Sequence, residues 1–183
     1  MKTHTGFTLI EVLIAMLILA IGLMSLAALQ TYTLRQNLSA YTRGQAIQLL
    51  YDMSDRMRAN VEIAKATTAN KYLITNTKTD ILDANKKVDG SHACRTTTNT
   101  TCNAATLAEY DVIEWANTVA TTLPMGRACI TSANGIFTLY ITWDDNRSGT
   151  VVTDTTPAAC TSITTVDSSE KYPDPILTMS VQL

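Results

Sequence analysis

One ionisable side chain stands alone near the start of the chain. From Phe7 to Leu29 the sequence runs for 23 residues with a single charge, Glu11. A carboxylate inside a spanning helix costs about 2.5–3.5 kcal/mol on insertion scales, and such residues usually have a partner. Glu11 lies only about 6 Å along a helix axis from Phe7, so it either snorkels to the interface or meets a cation brought to that depth by another molecule. Cysteines form the second chemical set: Cys94, Cys102, Cys129 and Cys160, none in a C-x-x-C pair. An oxidising compartment favours disulfides among them. A zinc site would need reduced thiolates, and the sequence offers just His4 and His92 beside them. Asp144, Asn146, Ser148 and Gly149 match the opening of an EF-hand-type calcium loop, but Thr155 stands where the bidentate Glu belongs. A polar turn is the expectation there. Glu109 and Glu114 sit five residues apart and face different directions on a helix. No nucleophile–base pair or phosphate-binding glycine loop is visible, so the reading is of a protein without enzyme activity, cofactor or metal.

These groups must be positioned by elements that the hydrophobic pattern reveals. The Phe7–Leu29 run would be roughly 34 Å long as a helix, against a bilayer core of about 30 Å. Lys2 ahead of it biases the short end to the cytoplasm, which exports the rest. A secretory signal would have a shorter apolar stretch and a small-x-small site. Leu26-Ala27-Ala28-Leu29-Gln30 matches one poorly. Beyond the membrane segment, Leu34, Leu38, Tyr41, Gln45, Leu49, Met53 and Met57 recur at helical steps, with Ala46 and Leu50 beside them. No Pro occurs before Pro124, so a continuous helix is expected from Phe7 to about Ala64. On its outer half, Asp52 and Arg56 are spaced i,i+4 and Asp55 and Arg58 i,i+3, read as solvated pairs worth a few tenths of a kcal/mol each.

The segment Gly6-Phe7-Thr8-Leu9-Ile10-Glu11-Val12 resembles the class III signal of type IV pilins and pseudopilins. The resemblance implies an α+β, pilin-like fold: a long N-terminal helix with a globular head of antiparallel sheet packed on it. It implies cleavage between Gly6 and Phe7 by a prepilin peptidase/N-methyltransferase, N-methylation of Phe7, and insertion of the helix intact. In such proteins the carboxylate matching Glu11 pairs with the terminal amine of a neighbouring subunit during assembly. About the first 60 residues, including Ile21–Gln30 and Tyr51–Asn60, are similar to a narrower group of minor pilins, the type IV pilus modification proteins (PilV). The implied organisation is a leader at 1–6, a membrane half of the helix at 7–29, an amphipathic half at 30–64 and a periplasmic head at 65–183.

The head is expected to begin with a Thr-, Asn- and Lys-rich surface connection over 66–106, carrying short apolar clusters such as Tyr72-Leu73-Ile74. Leu107–Thr122 reads as a helix with Leu107, Tyr110, Ile113/Glu114, Ala116/Asn117 and Val119/Ala120 on one face, and with Trp115 and Asp111 as packing and surface residues, not a site. Asn134-Gly135 between two apolar runs signals a hairpin. Phe137, Leu139, Ile141 and Trp143 alternate inward, as do Leu177, Met179, Val181 and Leu183 in a last strand. Covering these faces with the helix gives an antiparallel sheet packed on the helix's outer half. Four cysteines allow three connectivities. Short loop closure favours Cys94–Cys102 and Cys129–Cys160.

Composition bounds the function further. The chain has 183 residues, 46% hydrophobic and 16% charged, with a formal net charge of −2. Loss of Lys2 with the leader would leave the mature side chains at −3, so no nucleic-acid binding is expected of the head alone. The expectation is a minor pilin of the bacterial inner membrane and then the pilus. Its partners would be other minor pilins, the major pilin and the pilus assembly platform. It would support pilus biogenesis, twitching motility and adhesion. Two alternatives are a minor pseudopilin of type II secretion and an adhesive tip subunit whose head binds a surface ligand.

Overall fold

The computed structural model describes residues 6, 8–66, 70–74, 94, 102–149, 151–153, 160, 165–166 and 174–183. They fall into two compact units, Met1–Tyr41 and Thr42–Leu183. The elements in chain order are α1 (Leu9–Ala59), α2 (Val61–Ala64), α3 (Ala104–Thr122), β1 (Arg127–Ala133), β2 (Ile136–Thr142), β3 (Val152–Thr153), β4 (Thr165–Val166) and β5 (Ile176–Gln182). The architecture is α+β, a long apolar helix followed by a small antiparallel sheet, as the resemblance implied.

In the first unit α1 is exposed on all sides, and it is long and apolar enough to cross a membrane. Three of its hydroxyls bond back to carbonyls of the helix itself. Ser25 Oγ donates to the Ile21 carbonyl at 3.0 Å, Thr31 to Ala28 at 2.8 Å and Thr33 to Gln30 at 2.9 Å. Such back-bonds pair a hydroxyl without a partner from water or another element.

In the second unit α1 runs from Thr42 to Ala59 and buries Thr42, Ala46, Leu49, Leu50, Met53, Ser54 and Met57. The expected stripe is therefore covered from Thr42 onward, while Leu34, Leu38 and Tyr41 are exposed. The helix also stops earlier than the pattern suggested. Asn60 leaves helical geometry at φ −125°, ψ 49°, and α2 adds one further turn. The Asn60 amide donates instead to the Ala104 carbonyl at 2.7 Å, tying this break to the start of α3.

Helix α3 begins three residues ahead of the apolar pattern because Asn103 and Thr106 form a capping box. Its buried face is Ala108, Asp111, Val112, Trp115, Ala116 and Val119. This corrects the expected face: Leu107 is exposed and Asp111 is buried. Trp115, the bulkiest side chain available, sets the rotation, and its indole N–H donates to the Leu49 carbonyl of α1 at 2.7 Å. Gly126 closes the turn after α3 by lying against that helix's end.

The three-stranded sheet has the order β1-β2-β5, antiparallel throughout. Asn134 and Gly135 both take positive φ, 52° and 76°, and Ala133 pairs Ile136 across them. That is the two-residue hairpin expected of Asn-Gly. Phe137, Leu139, Ile141 and Trp143 are buried, joining the α1 and α3 side chains in one core. Tyr72 and Ile74, expected within a surface connection, are fully buried in the same core, and Ile74 forms an antiparallel bridge with Ile130 of β1. Their neighbours at 67–69 and 75–93 lie outside the described residues. Strands β3 and β4 form a separate parallel pair that the hydrophobic pattern does not announce.

Cys94 is bonded to Cys102 and Cys129 to Cys160, with Cα–Cα separations of 4.8 and 6.0 Å. The first sits just before the Asn103 cap. The second, with Tyr140, makes a small buried cluster on the sheet's other face.

A Cβ added at Gly126 would collide with the Val119 carbonyl and lie 2.9 Å from the Leu123 Cβ. Gly126→Ala should therefore cost about 1–3 kcal/mol, measured as a lower denaturant midpoint; an unchanged midpoint would contradict this packing.

Candidate functional site

The N-terminal site is built on the first turn of α1. Gly6 is exposed and outside the helix, and Phe7 lies outside the described residues. The Thr8 carbonyl accepts from the backbone N–H of Glu11 at 3.1 Å and of Val12 at 3.4 Å, which starts the helix. Glu11 thus occupies the first turn, where the helix dipole favours an anion. Its side chain is exposed, with Leu9, Ile10, Leu13 and Ile14 exposed around it. No ion pair reaches Glu11 among the described residues. Gly6 and Glu11 are thus on one short stretch, a carboxylate set among uncovered apolar side chains beside the expected cleavage point.

The head holds a second polar constellation, of which the sequence pattern shows only the Asp52–Arg56 spacing. Arg56 Nε donates to Asp52 at 3.0 Å, the expected i,i+4 pair. The same guanidinium then reaches α3, where Nη1 donates to Asp111 Oδ1 at 3.2 Å and to Glu114 Oε2 at 2.7 Å. The Tyr72 hydroxyl donates to the other Asp111 oxygen at 3.2 Å. Arg56 is therefore the hub joining α1 to α3, not a surface residue paired along one helix. Asp55–Arg58 is the solvated pair expected, at 3.2 Å with both side chains exposed. Glu109 faces away from Glu114 and pairs with Lys71. The missed signal was Asp111 itself, a charge on the Ala108–Val112–Trp115 stripe, which requires a counter-charge from the facing helix.

Burial governs the electrostatics here. It raises the Asp111 carboxyl above the ordinary carboxylate range, opposed by Arg56 and by the Tyr72 hydrogen bond. Burial would lower the Arg56 pKa, but the hydrogen bonds and charges of Glu114, Asp52 and Asp111 outweigh it and hold the guanidinium above its usual value. Burial pushes the Tyr72 phenol up to about 12, with Asp111 adding to this against an Asn60 hydrogen bond. These groups pair with one another across α1, α3 and the 70–74 segment, so the constellation acts as a clamp between them.

The calcium-like segment is a turn closed on its own backbone. The buried Asp144 carboxylate accepts from Ser148 N at 2.9 Å and Gly149 N at 2.7 Å. Asp145 accepts from the Trp143 indole at 3.1 Å, while its own N–H donates to Asp174 at 2.9 Å. Thr155, the twelfth position, lies outside the described residues.

Residues 1–27 match a family model, the prokaryotic N-terminal methylation motif. The match spans Gly6, Phe7 and Glu11 and gives the N-terminus a type IV pilin- or pseudopilin-like character; it covers 27 of 183 residues. Comparison with curated proteins and with solved structures finds no match.

Two outcomes test the clamp. Arg56→Met should destabilise the head by about 2–4 kcal/mol, because Asp111 is left buried without its cation; adding Asp111→Leu should recover part of that loss in denaturant titrations. The Tyr72 phenol is raised from 10.0 to about 12 in the folded chain, so the unfolded chain releases this proton first. Its contribution is complete below about pH 10 and is lost as pH rises through 12. The stability advantage of the native chain over Tyr72→Phe should shrink by about 2 kcal/mol across that window; a constant difference would refute it.

Proposed function

We propose that this chain is a minor pilin that primes assembly of a type IV pilus and enters the fibre. The observation that carries the reading is Glu11: a carboxylate five residues into a chain starting at Phe7, on a helix apolar enough to span a membrane, and inside the matched methylation motif. Before assembly, residues 7–29 hold the subunit in the bacterial inner membrane, with the head in the periplasm. A prepilin peptidase/N-methyltransferase cuts after Gly6 and methylates the new Phe7 amine. Glu11 then faces an energetic cost in hydrocarbon that an approaching subunit's terminal amine removes. Extraction into the fibre is thereby coupled to formation of an ion pair. The methylation motif, the membrane-capable helix and the disulfide-bonded head all support this reading. The partners are other minor pilins, the major pilin and the assembly platform. Pilus biogenesis, twitching motility and adhesion are the processes it serves.

Mass spectrometry of the mature chain should find N-methylated Phe7 at its start, and Gly6→Leu should leave the precursor uncut. Glu11→Ala should be processed normally yet fall about tenfold or more in sheared fibres, in line with the cost of an unpaired intramembrane charge. A different N-terminus, or equal incorporation of Glu11→Ala, would refute the proposal.

A further inference from the structure

The sheet order β1-β2-β5 leaves β5 as an edge. β1 is partly covered on its outer side by the Ile74 bridge, but among the described residues nothing pairs with the outer side of β5. Natural edges are protected by charge, proline, a bulge or very short length. β5 has none of these. It runs seven residues, Ile-Leu-Thr-Met-Ser-Val-Gln, without a charge or a proline. Its register against β2 is continuous from Ile136↔Gln182 to Thr142↔Ile176, so no bulge twists it away.

The core is also unfinished along this edge. Leu139 and Ile141 of β2 are fully buried, yet their partners in β5, Met179 and Leu177, are covered only in part. A further strand bearing apolar residues on that face would complete their burial. Thr178 and Ser180, on the opposite face, are exposed.

The polarity of the middle five residues of β5 is symmetric about Met179, reading Leu177, Thr178, Met179, Ser180, Val181, while the end pair Ile176 and Gln182 differs. Antiparallel pairing with an identical strand about a two-fold axis through Met179 sets Leu177 against Val181 and Thr178 against Ser180. Apolar residues then meet apolar ones on the core face, hydroxyls meet on the wet face, and no like charges oppose. We propose that β5 pairs with β5 of a second copy of this chain, joining two three-stranded sheets into one of six strands across an isologous interface.

The test uses the full chain in detergent micelles with its disulfides intact, compared by sedimentation equilibrium. The native chain is expected to dimerise with concentration. Thr178→Lys with Ser180→Lys places like charges opposite each other twice, and should weaken the dimer about tenfold or more. Thr178→Lys with Ser180→Glu places opposite charges at the same pairs and should restore it. Equal association of all three chains, whether monomeric or dimerised through the apolar helix, overturns the proposal. If the double-lysine chain loses the near-ultraviolet dichroism of Trp115 and Trp143, hydrogen exchange of the native chain decides. Protection of the β5 amides that rises with concentration is expected. Exchange independent of concentration, as cover by another segment of the same chain would give, overturns it.

Discussion

A carboxylate removed from water needs a cation, and that requirement organises this protein. In the head it is met internally. Asp111 lies on the buried face of α3 and receives Arg56 from α1 and the Tyr72 hydroxyl from the 70–74 segment. Three pieces of chain far apart in sequence are thus bound to one charge, and the energetic penalty of leaving Asp111 unpaired makes that arrangement specific. Glu11 is the complementary case. Its surroundings on α1 are apolar, and no described residue pairs with it. In the proposed reading the same penalty acts between molecules, because the missing cation is another subunit's amine.

The clamp has its effect because α1 and α3 are already fixed by packing. Met53, Met57, Val112 and Trp115 are fully buried together, and the Trp115 indole reaches the Leu49 carbonyl. A helix carbonyl has a second lone pair free beyond its own ladder bond, so this contact adds to α1 without disrupting it. Asn60 then ends α1 where its side chain can hold the first residue of α3. Helix packing, cap and ion pairs agree on one relative placement of these two helices within the head, which is the consistency expected of a well-specified fold.

What could be read from the sequence followed from how local each signal was. Asn134-Gly135 needs only its own backbone to demand positive φ, and β2 alternates within seven residues, so both were legible. The motif around Gly6 and Glu11 was equally local. The rotation of α3 was not, because Leu107 and Val112 are both plausible core residues until Trp115 and the partner helix choose between them. The role of Arg56 was hidden for the same reason. Asp52 at i−4 offered a sufficient partner, whereas Asp111 and Glu114 are 55 and 58 residues away. Tyr72 and Ile74 looked like apolar interruptions in a polar stretch, and the bridge to Ile130 that explains them spans 56 residues.

The cross-links stand where such non-local packing is thinnest. Cys94–Cys102 closes directly onto the Asn103 cap, so the chain enters α3 already constrained where the helix's unpaired N–H groups must be satisfied. Cys129–Cys160 anchors residue 160 beneath β1, on the sheet face away from the main core, where Tyr140 packs against it. A disulfide limits the unfolded chain without requiring a large buried surface. The head therefore uses side-chain packing on the α1 side of its sheet and covalent closure on the other. That division leaves β5, with neither a cross-link nor a covering helix on its outer side among the described residues, as the edge whose hydrogen-bonding groups are open to another chain.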